Sequence, residues 1–128
     1  MNHKIQDIGI SKNIGSYSDA IESTSGLRWL HTSGTPGMTK SGELPKDIEG
    51  QSRQVWTNMI EILDQAGMTI NDIVKVTTSL INARDIPTYV KVRKEVLGDV
   101  KPAFMLSVVN QLIRPDVLVE VEIIAAKK

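Results

Sequence analysis

Glu120 and Glu122 are the residues whose types and spacing most invite chemistry. In an extended segment, residues two apart project from one face about 7 Å from each other, within reach of one water or one small ligand. On a fully solvated strand such a pair is ordinary. Leu118 and Ile124 share this face, however, which predicts partial burial. A carboxylate withdrawn from water holds its proton more tightly and can then work as a general acid or base. Other chemistries have less to draw on. The chain has no cysteine, which removes disulfides, thiolate nucleophiles, iron–sulfur clusters and the usual structural zinc sites. His3 and His31 stand far apart and outside any ligand-spaced motif, so no metal site is expected. His3 reads as part of a loose end and His31 as a structural strand residue. No serine sits in a Gly-x-Ser-x-Gly elbow. Thr32-Ser33-Gly34-Thr35-Pro36-Gly37 lacks the lysine and spacing of a phosphate loop and reads as a turn with free backbone donors.

The elements that must position these residues follow from periodicity. Val117, Val119, Val121, Ile123 and Ala125 alternate with Leu118, Glu120, Glu122 and Ile124, which makes 117–125 the clearest strand of the chain. Further strands are expected at 5–10, 17–23, 27–32, 73–81 and 103–109. Thr24-Ser25-Gly26 reads as a hairpin loop between the second and third, and 34–46 as a long loop of turn residues. Asp47 is placed to cap a helix whose apolar positions are Ile48, Val55, Met59, Ile62, Leu63 and Ala66, ending at Gly67. A second helix is capped by Asp85, carries Pro87 in its first turn, and lines one side with Ile86, Tyr89, Val90, Arg93, Val96 and Leu97 before Gly98. The resulting order, β-β-β-α-β-α-β-β, predicts an α+β layer with two helices on one sheet face. The strands carry apolar residues on both faces, so the uncovered face is expected to be buried between subunits.

Composition narrows the function classes. A length of 128 residues suits one domain, 1–128, with 41% hydrophobic and 23% charged residues. Fifteen Lys plus Arg balance fifteen Asp plus Glu, which argues against non-specific binding to nucleic acid or to an acidic membrane. Neutrality also leaves little charge repulsion between copies. Five aromatic residues (Trp29, Trp56, Tyr17, Tyr89 and Phe104) barely supply a base-stacking platform. No run approaches the roughly 20 apolar residues of a membrane helix, and Met1–Asp7 lacks the apolar region of a signal peptide. A cytoplasmic location is expected.

Over nearly its whole length the chain resembles the RidA/YjgF family of reactive-intermediate imine deaminases. Ile14-Gly15-Ser16-Tyr17 is similar to the family's Ile-Gly-Pro-Tyr, with serine for proline. Thr32-Ser33-Gly34 matches its Thr-Ser-Gly. Gly42-Glu43-Leu44-Pro45-Lys46-Asp47, Gln51, Asn58, Ala66-Gly67 and Asp72-Ile73-Val74-Lys75 resemble its central block. Pro102-Ala103 and Val119-Glu120-Val121-Glu122-Ile123-Ile124-Ala125 resemble its C-terminal signature. The resemblance implies a chorismate-mutase-like α+β fold with a six-stranded mixed sheet and two helices on one face. It also implies a homotrimer with inward-facing sheets and small-molecule clefts at the subunit interfaces. Such clefts hydrolyse 2-imino or enamine acids to 2-keto acids and ammonia, without a cofactor. Tyr17, Ser33 and Glu120 match the family's catalytic cleft positions, with Gly34 beside the substrate.

One departure bears on substrate. Active members carry Arg directly after Pro-Ala, where a guanidinium can bind the substrate carboxylate through two parallel hydrogen bonds. This chain has Phe104 there, and Val90 where Asn is frequent. A phenyl ring offers neither charge nor donors, so a carboxylate would enter without a partner. Either Arg114, in Leu112-Ile113-Arg114-Pro115-Asp116, supplies the charge, or it pairs with Asp116 in solvent and the substrate differs. The expected function is therefore a divergent imine or enamine deaminase with Phe104, Gly34, Val90 and Arg114 on the substrate side. The alternative is a non-catalytic small-molecule sensor or partner-binding trimer. A ribonuclease or translation inhibitor is disfavoured by the zero net charge.

Overall fold

Alternating burial along the last strand organises the molecule. In the computed structural model, which describes residues 3–128, Val119, Val121, Ile123 and Ala125 of this strand are all buried, as is Val117 just before it. The strand runs 119–127 rather than the expected 117–125. Glu120 and Ile124, on the opposite side, are half-buried, and Glu122 is exposed. Met1 and Asn2, where the N-terminal reading began, lie outside the described residues. In chain order the strands are β1 (His3–Gln6), β2 (Ala20–Ser23), β3 (Arg28–His31), β4 (Thr35–Pro36), β5 (Ile73–Leu80), β6 (Ala103–Val108) and β7 (Val119–Lys127). The helices are α1 (Ile48–Gln65) and α2 (Ile86–Leu97). No helix among the described residues is long and apolar enough to cross a membrane.

The main sheet is mixed. Its order is β3-β7-β5-β6, with β4 sharing the β3 flank of β7. β5 and β6 run parallel through the α2 crossover, whereas β7 is antiparallel to β3, β4 and β5. Both helices pack on one face, where Trp56, Met59 and Leu63 of α1 and Tyr89 and Val92 of α2 meet Val76, Leu80, Val121 and Ile123. The other face is open. It presents Thr77, Ser79, Glu120 and Glu122 together with Trp29 and Met105, which are about half exposed. It is thus more polar than the apolar second face expected from sequence.

Two strand expectations change. The sheet has five strands rather than six, because β1 and β2 form a separate antiparallel ribbon. The residues 24–26 are accordingly not a hairpin loop between β2 and β3. They carry the chain, through Gly26 at φ +79°, from the ribbon to the free flank of β7. Leu30 can there join the core that Ala125 lines, a burial that pairing with β2 would not supply. The first strand also stops at Gln6 instead of reaching Ile10. The Asp19 carboxylate accepts from the amides of Ile8 (2.8 Å), Gly9 (3.2 Å) and Ser11 (2.8 Å), curling this segment into a loop.

α1 matches expectation at both ends. Asp47 accepts from the Gly50 amide at 2.8 Å, and Gly67 leaves the helix at φ +69°. Asp85 differs. It precedes α2 but makes no capping hydrogen bond, since the turn Ala83–Asp85 already winds into the helix. His3 differs too. It is buried in β1, its ring bonded to the Ser23 hydroxyl at 2.8 Å and the Asp72 carbonyl at 3.3 Å, rather than loose.

Candidate functional site

Of the residues singled out above, Gly34, Glu120 and Glu122 gather on one face of the sheet, and Tyr17, Val90 and Phe104 on the other. Glu120 belongs to the open face. It sits in register with Ser79 of β5 on one side and Pro36 of β4 on the other, and Glu122 pairs with Thr77. Gly34, Thr77, Ser79, Glu120 and Glu122 line a depression of about 180 Å³. A β-carbon at Gly34 would overlap Oε1 of Glu120, so a larger residue there would push the carboxylate out of its present place.

The loop is fixed from both ends. Thr32 donates its amide to the Ile123 carbonyl (3.0 Å) and accepts the Ile123 amide on its hydroxyl (2.9 Å). Downstream, Asn58 of α1 donates to the carbonyls of Pro36 and Met38 at 3.2 and 2.9 Å. Buried Gln51 donates to Pro45 and Asp116 carbonyls and accepts the Leu118 amide, holding the long loop against β7. Ser33 lies in this fixed turn, exposed, its carbonyl accepting the Thr35 hydroxyl at 3.1 Å.

Phe104 and Tyr17 belong to the other cluster. Phe104 is in register with core residue Val76, which puts it on the helix side, away from Glu120. The Ser18 amide donates to the Pro102 carbonyl at 3.1 Å, holding Tyr17 at the edge of β6. The two rings meet edge to face, 6.1 Å apart at 87°. Val90 reaches the same place from α2. Together with Ile14, Gly15 and Arg93 these residues line a cleft of about 320 Å³.

Arg93 is the residue that the site reading missed. Its guanidinium lies 4.0 Å from the Phe104 ring centroid and 5.9 Å from that of Tyr89. Only 6% of the residue is exposed, and no ion pair among the described residues includes it. Burial pulls its pKa below the ordinary value, opposed by the phenols of Tyr89 and Tyr17. A desolvated cation over an aromatic face gains about 2 kcal/mol, whereas a buried charge without a counter-ion costs several. The ring faces therefore offset only part of the burial. The signal was present in sequence, since Arg93 occupies an apolar position of the α2 stripe. Tyr89, its neighbour one turn earlier, is buried and bonds the Thr78 hydroxyl at 2.6 Å, and burial pushes its phenol pKa up.

Arg114 enters neither cluster. It forks onto Asp116 through Nε (3.0 Å) and Nη2 (2.9 Å) in an exposed loop, and this partner holds the Asp116 carboxyl below the usual range. Among the described residues no three His, Asp or Glu side chains gather as they would around a metal ion.

Residues 10–127 match the endoribonuclease L-PSP family model. The chain belongs to this family, the RidA/YjgF family. A RutC family protein of Pyrococcus horikoshii is 40% identical over 119 residues, 91% of each chain. The 2-iminobutanoate/2-iminopropanoate deaminase of Escherichia coli is 31% identical over 95 residues, covering 73% of this chain and 74% of its own. YyfB, a Rid-family protein of Yersinia pestis, superposes with a TM-score of 0.87 at 28% identity, over 99% of this chain and all of that one. The expected family, α+β class and helix-covered mixed sheet are thus borne out. Within this Rid-family chain, an acidic cluster and an aromatic, cationic cleft occupy opposite sides of one sheet.

Proposed function

We propose that this protein is a divergent imine deaminase that works as a homotrimer. The observation that carries the reading is the close approach of Gly34 to Glu120. Glycine there leaves the carboxylate half-buried in a depression whose other walls are the hydroxyl-bearing Ser79 and Thr77. In that setting Glu120 takes a proton from a water as its oxygen bonds to the imine carbon and passes that proton to nitrogen, giving a carbinolamine. It then carries the carbinolamine hydroxyl proton to nitrogen as the carbon–nitrogen bond breaks and the carbonyl forms. Imine and water are consumed; a carbonyl compound and ammonia are produced. Neither oxidant nor metal enters the balance. The Escherichia coli relative is a 2-iminobutanoate/2-iminopropanoate deaminase, which supports the reaction class.

Two observations favour more than one copy per site. Glu120 and Phe104 project from opposite faces of one sheet, so a single chain does not present both to one ligand. The open face also leaves Trp29 and Met105 about half exposed, surface that a second chain would cover. Light scattering should return three times the 14.1 kDa chain mass; a monomer would remove the interface cleft from the reading. For the chemistry, ammonia release is followed from 2-iminobutanoate and from imines with larger apolar side chains, generated in place. Acceleration that falls about 100-fold or more in E120A is expected for loss of a general acid–base group. No acceleration with any imine, or an unchanged rate in E120A, would leave the non-catalytic binding protein that Phe104 and Val90 favour.

A further inference from the structure

We propose that Arg93 is the anion-binding residue of the helix-side cleft, and that this cleft takes a small carboxylic acid with an apolar body. The position after Pro102-Ala103 carries no charge, and Arg114 is committed to Asp116. Arg93 is a guanidinium in the same cleft without a protein counter-ion among the described residues. It arrives from α2 rather than from β6, its guanidinium carbon 4.0 Å from the Phe104 ring centroid. A guanidinium over an aromatic face still has five N–H donors to offer an oxygen ligand.

The surroundings define the ligand. Arg93 lies where two cavities adjoin. One, of about 320 Å³, is walled by Tyr17, Val90, Phe104 and Leu106 and suits an aliphatic or aromatic body. The other, of about 420 Å³, adds Lys12, Lys94 and Asn13 and has no acidic residue in its wall. An anion seated at Arg93 therefore meets positive charge from one side and apolar surface from the other. A single carboxylate is favoured over a phosphate ester, because only one guanidinium is buried and the two lysines are exposed. That the acid is the substrate rests on the deaminase reading above; the anion site itself does not.

The test separates the two. Binding of 3-phenylpropanoate and of its uncharged amide, 3-phenylpropanamide, is measured calorimetrically on the whole protein. The acid should bind at least tenfold more tightly than the amide. R93M should abolish that preference, R93K should keep part of it as a point charge, and E120Q should leave it intact. Equal binding of acid and amide by the wild type, or an acid preference that survives in R93M, would overturn the proposal. Should R93M fail to fold, the Nε–H resonance of Arg93 in the wild type decides. It should shift on titration with the acid and not with the amide, and an unmoved resonance would sink the assignment. Acid binding that requires Arg93 in a protein without deaminase activity would end the catalytic reading and leave the anion site standing.

Discussion

The two faces of the sheet solve opposite electrostatic problems. On the open face, Glu120 and Glu122 stand near hydroxyls and solvent, and the only steric demand is that residue 34 lack a side chain. On the helix face, Arg93 is deeply buried between aromatic rings, with no carboxylate beside it. A side chain that water can reach tolerates its charge at little cost, whereas a buried one must be matched by something. Unmatched burial, more than proximity to the acidic pair, marks where an anion is wanted.

F104R is the sharpest way to break that contrast. By the family resemblance alone, the change is expected to restore a carboxylate-binding arginine. In the fold, the new guanidinium points at Arg93, whose own lies 4.0 Å from the ring being replaced. Two like charges at about that distance repel by about 4 kcal/mol at an effective dielectric of 20. F104R should therefore lose about 2–4 kcal/mol of stability by denaturant titration, and combining it with R93M should recover most of the loss. F104R as stable as the wild type, or no recovery in the pair, would mean that Arg93 is not confined against Phe104. The next effect falls on the open face. G34A pushes a methyl group against the Glu120 carboxylate. A displacement of about 1 Å at a reacting group costs about 100-fold, so deaminase turnover should drop by that factor. Because the displaced atoms are the end of a half-buried side chain, melting should change little. A large fall in melting temperature with turnover retained would reverse the assignment of Gly34 from positioning to packing.

How much of this was readable in advance depends on the range of the deciding interaction. α1, its Asp47 cap and its Gly67 exit are set within a turn or two of chain, and they were legible. So was the alternation in β7, because the buried set Val119, Val121, Ile123 and Ala125 is written in period two. The presence of Arg93 in the α2 stripe was also visible, but its partner was not. That Phe104 lies under Arg93 follows from the Phe104–Val76 register between parallel strands separated by a helix, which no local pattern encodes. The same holds for β2 and β3. A Gly-containing turn between two strands resembles a hairpin, yet β3 gains more by pairing with β7, far along the chain. His3 looked loose because its partners, Ser23 and the Asp72 carbonyl, are distant in sequence.

The smallest expected effect tests whether the helix-side cleft can be loosened without touching the open face. Asp19 gathers the amides of Ile8, Gly9 and Ser11, and the loop it anchors runs on into Lys12–Tyr17, the outer wall of the cleft. Those donated hydrogen bonds, led by that of Ile8, hold the Asp19 pKa below its ordinary 3.8. A group whose folded-state pKa is depressed stabilises the fold fully above its unfolded value and loses that contribution as pH falls through the folded one. D19A should therefore speed hydrogen exchange at Ile8, Gly9 and Ser11 near neutral pH. The difference from wild type should shrink as pH drops below 3.8. Exchange at Ser79 and Glu122, which belong to the central β5–β7 ladder, should stay as in the wild type. Faster exchange there as well would mean that the two faces are mechanically coupled, and that the division between an acidic face and a cationic cleft is one of chemistry only.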